Sequence, residues 1–180
     1  MKSETLISDL IERTKNNLNR VQNFQDLTDQ ELNHKISPQS WSILECLEHL
    51  NRYGDFYIPE LKEKIKSSHH KNNGSFKSGW LGNYFAKMIL PKEKLNKMKT
   101  LKSMNPVGSK LNRQVIEKFI RQQQQLLELL DQARDVSLTK TKTKISISSW
   151  IRLRLGDTFR FVIYHNQRHI LQAENILSFS

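Results

Sequence analysis

Phe161-Val162-Ile163-Tyr164-His165-Asn166-Gln167-Arg168-His169-Ile170-Leu171-Gln172 reads as helix without a Gly or Pro to break it. Its two histidines stand four residues apart, so on a helix they lie one above the other on the same face. At about 100° per residue, that face also holds Val162, Gln172 and Ile176. Phe159, Ile163, Ile170, Ala173 and Leu177 widen it, and Arg160, Gln167 and Glu174 lie opposite. The histidine pair is therefore expected to point into a core. Two imidazoles so placed can share one metal ion, but a firm site needs a third ligand from elsewhere in the chain.

Working outward, the helix is expected to begin near Gly156-Asp157, with Asp157 as its N-cap, and to run to about Ser178. Three other long helices are legible. Residues 3–25 carry Leu6, Ile7, Leu10, Ile11, Leu18 and Val21 at helical spacing, with Ser3 as an N-cap. A second helix should follow Pro38, which disfavours helix at the residue before it. It starts at Ser40-Trp41-Ser42, where Ser42 and Glu45 have capping-box spacing, and continues to about Lys66. A third spans residues 112–133, with Ile116, Phe119, Ile120, Leu126, Leu127 and Leu130 as its buried stripe. Residues 26–40 and 134–149 read as connectors. Four long helices most naturally form an all-α four-helix bundle, here a single domain over residues 1–180 with an insertion between helices 2 and 3.

That insertion is irregular and basic. His69-His70-Lys71-Asn72-Asn73-Gly74 is a loop by composition. Trp80, Leu81, Tyr84, Phe85 and Met88 then form a short apolar stripe that Pro91 ends, and Lys92, Lys94, Lys97, Lys99 and Lys102 follow. The stripe reads as core or bundle cover; it could also form a pocket wall or lid, and a membrane-surface helix is the third option.

On the second helix, His49 shares a face with Cys46, Tyr53, Phe56 and Tyr57, while Glu48, Asn51 and Asp55 point away. His49 is therefore a third inward histidine. A lone inward histidine is ordinarily a hydrogen-bonded core residue. An i, i+4 pair with a third histidine on another helix favours a metal site, since bundles build such sites from facing helices. Three imidazoles also leave one position open, as catalytic sites do. Such an ion lowers the pKa of a bound water or thiol, or polarises a carbonyl. Cys46 reads as a small buried hydrophobe and Glu45 as a capping carboxylate that could also support His49. Gln172 could orient a ligand. Arg168 could meet an anionic substrate at the mouth or form a surface ion pair. His34, His69 and His70 sit in connectors and are expected to be exposed.

The chain has 180 residues and a net charge of +11, which favours an anionic partner without naming one. Its single cysteine excludes an intrachain disulfide and suits a reducing compartment. No run approaches the roughly 20 apolar residues a membrane span needs, and the charged N-terminus lacks a signal-peptide core. A cytoplasmic protein is expected.

Trp41-Ser42 followed by His49-Leu50, then Gly156-Asp157, then His165-Asn166-Gln167-Arg168-His169 with Gln172, resemble the DinB / YfiT-like superfamily, and the order of elements matches over nearly the whole chain. The resemblance implies a four-helix bundle that holds a divalent metal, zinc or nickel, through His49, His165 and His169. It also implies transferase or isomerase chemistry with a low-molecular-weight thiol such as bacillithiol or mycothiol.

The expectation is a metal-dependent enzyme acting on a small-molecule substrate, foremost a thiol-dependent S-transferase. The alternatives are a metal-dependent hydrolase, or a non-enzymatic binding module docking an acidic partner through residues 87–110. No DNA-reading motif is visible, and a homodimer is compatible with the bundle without any residue marking its interface.

Overall fold

The computed structural model of the chain describes residues 1–91 and 100–178. The long helices are α1 (Ser3–Gln22), α3 (Ile43–Lys66), α5 (Gln114–Gln132) and α6 (Leu155–Leu177). Between them lie the short helices α2 (Asp29–Asn33) and α4 (Trp80–Ile89), and a hairpin of β1 (Lys142–Ile145) and β2 (Ser148–Arg154). Helices α1 and α3 each pack against both α5 and α6. The expected bundle is thus present, with α4 laid on α6. No helix among the described residues is long and apolar enough to cross a membrane. Lys92, Lys94, Lys97 and Lys99 of the basic insertion lie outside the described residues.

Local chemistry sets the helix ends. Helix α3 begins where the capping box places it: the Glu45 amide donates to Ser42 Oγ at 3.2 Å, and the Ser42 amide donates to the Glu45 carboxylate at 2.9 Å. Helix α1 departs from expectation. Lys2 is its N-cap and Ser3 its first residue, because the N-terminal strand of chain docks first: Lys2 bridges Ser75, and the Ser3 amide donates to Gly74 O at 3.1 Å.

Helix α6 departs in a more consequential way. Arg154 is its N-cap, and Asp157 sits fully buried inside the first turn. Its carboxylate accepts from the Gly79 amide at 2.8 Å and from the Ser78 hydroxyl, so it anchors the start of α4 instead of capping its own helix. Arg160 completes the arrangement with an ion pair at 3.2 Å. Gly156 and Gly82 make the approach possible. A Cβ on Gly156 would meet the Phe76 ring at 2.5 Å, and one on Gly82 would meet Asp157 Cβ at 2.5 Å.

Residues 134–149 are not a plain connector. Thr141, Thr143 and Ile145 are buried while Lys142 and Lys144 are exposed, a period-two alternation that makes β1. It pairs antiparallel with β2, and Thr143 shares a hydroxyl hydrogen bond of 2.6 Å with Thr158 of α6. The Trp80 stripe covers the bundle and is not its core: α4 buries Gly82, Ala86 and Ile89, leaves Leu81, Phe85 and Met88 half-buried, and turns Trp80 and Tyr84 to solvent.

Two apolar clusters fill the bundle. One gathers Leu6, Leu10, Tyr57, Leu61, Leu126 and Phe159; the other gathers Val21, Ile43, Leu47, Phe119, Ile170 and Ala173. Between them runs a buried polar layer with members on all four long helices: Thr14 and Asn17, His49 and Asn51, Gln122 and Gln123, His165 and Asn166. Asn166 donates to Gln123 Oε1 at 3.1 Å, and Asn17 donates to Ile163 O at 3.4 Å. Asn51, expected to face outward, is fully buried and donates to Val115 O at 2.9 Å. The histidines belong to this layer, where polar groups must find partners because water is excluded.

Candidate metal centre

His49 projects from the middle of α3, and His165 and His169 from successive turns of α6, the helix against which α3 packs. Each offers one ring nitrogen, and these three atoms lie within 4.8 Å of one another, a group that could hold a metal ion. His49 and His165 are buried and His169 is half-buried, so the cluster opens toward the surface on the His169 side.

The second ring nitrogens are held. His49 Nδ1 lies 2.8 Å from Met104 O, and His169 Nδ1 lies 2.9 Å from Gln172 Oε1. Both oxygens only accept, so both Nδ1 atoms carry protons and both Nε2 atoms are left as lone pairs. His49 Nε2 stands 3.2 Å from His165 Nε2; two nitrogens on one tetrahedral zinc at ordinary bond lengths stand about 3.4 Å apart.

Burial also keeps the rings neutral, as metal ligands must be. Desolvation pushes His49 down to about 4, with Arg52 adding to the effect, although the bond to Met104 opposes it. Desolvation and then the neighbouring His49 push His169 down to about 3. His165, which touches both other rings, falls well below its ordinary value, first by burial and then by the charges of His169 and His49.

Aromatic rings wall the group. The Trp41 ring lies 4.8 Å from His49 and 5.7 Å from His169. Tyr53 meets His165 edge-on at 4.5 Å, and Phe161 stacks on that imidazole at 5.7 Å and 11°. Tyr53 in turn stacks on Tyr57, whose hydroxyl accepts from the Ser146 amide at the hairpin turn.

The structure thus brings together the three histidines singled out in the sequence, with Gln172 as their support. It separates the others. Cys46 is buried in the apolar cluster of Val21 and Leu47, where desolvation pushes its thiol up. Glu45 caps α3 and pairs with Lys35 at 2.7 Å. Arg168 is buried, where desolvation lowers its guanidinium. His69 and His70 are exposed, and His34 is half-buried. The carbonyl of Met104 was missed, since backbone groups leave no mark on residue type. Arg52 holds that segment in place by donating to Asn105 O and to Ser109 Oγ.

Compared with curated proteins and with solved structures, the chain finds no significant match. The family model of the DinB superfamily matches residues 10–173. With the three-histidine bundle in view, that match over most of its length places the chain in the DinB superfamily.

Proposed function

We propose that the protein is a divalent-metal-dependent enzyme in which His49, His165 and His169 hold the ion, zinc or nickel, and that it conjugates a low-molecular-weight thiol to a small electrophile: the thiol loses its proton, its sulfur bonds to the electrophilic atom, and the electrophile's leaving group departs. The observation that carries this reading is the convergence of three neutral imidazole nitrogens within 4.8 Å at the half-open end of a buried polar layer. A bound divalent ion supplies Lewis acidity, which lowers the pKa of a thiol or water that takes the remaining position. The chain's own groups do the rest. Met104 O and Gln172 Oε1 hold two imidazoles in the ligating tautomer. Trp41, Tyr53 and Phe161 exclude water from the rings and offer apolar walls to an electrophile.

The test is metal content and turnover together. Protein purified without an affinity tag should carry about one divalent ion per chain, lost in His49→Ala, His165→Ala and His169→Ala. The loaded protein should conjugate a generic electrophile with at least one of several thiols. Metal content unchanged in all three variants rejects the ligand assignment. Hydrolysis of activated esters without any thiol conjugation replaces S-transfer by the hydrolase reading, since water would then take the place of the thiol.

A further inference from the structure

The hairpin carries an arrangement that the bundle does not need. Lys142 pairs with Arg154 and Lys144 with Arg152 across the two strands. Thr143 and Leu153, the residues between, are buried, so the four cations share the outward face. Like charges directly opposite one another destabilise a sheet. None of the four forms an ion pair with a carboxylate among the described residues. Their hydrogen bonds go to backbone carbonyls: Arg152 to Ser149 O, and Arg154 to Lys77 O.

Apolar side chains flank this cationic centre. Trp150 is 92% exposed and Ile147, in the turn, is 49% exposed. At the other end β2 contacts α4, where Trp80 is 83% and Tyr84 57% exposed. Trp80 follows Gly79, and a Cβ on Gly79 would lie 3.5 Å from the Arg154 side chain.

We propose that this face docks on an anionic phospholipid surface, with Trp150 and Ile147 at one end and Trp80 and Tyr84 at the other entering the headgroup boundary, and the four cations lying among the phosphates. Tryptophan and tyrosine favour that boundary, and basic residues there gain from the negative surface potential. A single-stranded nucleic acid fits less well. Its platforms interleave rings with cations along a groove, whereas here the cations are contiguous and one anchor is aliphatic. The proposal is independent of the metal centre, whose histidines lie in the bundle interior.

Flotation of the full-length protein with phosphatidylcholine vesicles, with and without phosphatidylglycerol, tests it. Binding should require the anionic lipid, blue-shift the tryptophan emission and weaken with salt. Each basic residue contributes about fivefold, so Lys144→Ala with Arg152→Ala should weaken binding about 25-fold. Trp150→Ala and Ile147→Ser should weaken it with net charge unchanged. All four side chains project outward, so thermal melts of the variants should overlay the parent and exclude misfolding. Absence of vesicle binding overturns the proposal. So does vesicle binding that these variants leave intact, or binding to an oligothymidine but not to vesicles.

Discussion

His49 Nε2 and His165 Nε2 face each other at 3.2 Å, and the Met104 carbonyl settles which of the two carries a proton. Because His49 Nδ1 must donate to Met104 O, His49 Nε2 is bare, and His165 must donate to it through Nε2–H when no ion is present. If His165 ligates through that nitrogen, its proton has to move to Nδ1. Nitrogen-15 NMR of the imidazoles should therefore show His49 as the Nδ1–H tautomer throughout. His165 should switch from Nε2–H to Nδ1–H on titration with zinc. An unchanged His165 spectrum at saturating zinc would remove it from the ligand set.

The same burial makes the metal-free protein acid-sensitive. The unfolded histidines titrate near 6.5, whereas the folded values for His49 and His169 are about 4 and about 3, and that of His165 is also depressed. Above about pH 6.5 both states are neutral and the shifts contribute nothing. As pH falls below that value the unfolded chain takes up protons that the folded one refuses, so stability falls, and the loss levels off only below the folded values. Each histidine adds a slope of up to about 1.4 kcal/mol per pH unit in that window. Thermal unfolding of the metal-free protein should show a Tm that drops between pH 6.5 and about 4, less steeply in His165→Gln. Identical slopes would mean that the imidazoles are hydrated and not held neutral by the fold.

Gln172 supports His169 from three residues further along the same helix, its Oε1 accepting from Nδ1 at 2.9 Å. Removing such a partner costs metal affinity about 10–100-fold. Gln172→Leu should lower affinity for zinc by that amount in competition with a chromophoric chelator, and Gln172→Glu should restore it, since a carboxylate accepts the same hydrogen bond. A Gln172→Leu protein with parental affinity would show that the His169 tautomer is held by other means.

The bundle and the histidine triad were legible because both are written in helical periodicity. The stripe of α1, the capping box at Ser42 and the i, i+4 pair on α6 each combine local spacing with residue type. What escaped depends on tertiary neighbours. Asn51 looks polar and outward on a helical wheel, yet the Val115 carbonyl at the entry to α5 draws it inside. In α4 the stripe of large residues suggested the buried face, but Gly82, Ala86 and Ile89 form it, because the small residue at position 82 allows α4 to approach α6 so closely that Asp157 fits against it. The i, i+4 spacing of Gly82 and Ala86 was the available signal. Strand β1 was hidden because one of its buried positions is Thr143, whose inward placement rests on Thr158, and Thr141 just before it rests on Ser68.

Asp157 offers the most direct test of how α4 is attached. It is fully buried, accepts from the Gly79 amide and the Ser78 hydroxyl, and neutralises Arg160, whose side chain is itself mostly buried. Asp157→Ala strands a guanidinium and an amide donor at once, and breaking a buried pair from one side costs about 3–5 kcal/mol. Asp157→Asn keeps the volume and one acceptor oxygen, so its loss should be smaller, about 1–3 kcal/mol. Urea unfolding should rank the proteins parent, Asn, Ala. Limited proteolysis of the Ala variant should cut first near Ser78-Gly79, where the N-terminus of α4 loses its acceptor. A loss below about 1 kcal/mol in the Ala variant would mean that α4 is held by Ala86 and Ile89 packing alone and that the carboxylate is dispensable.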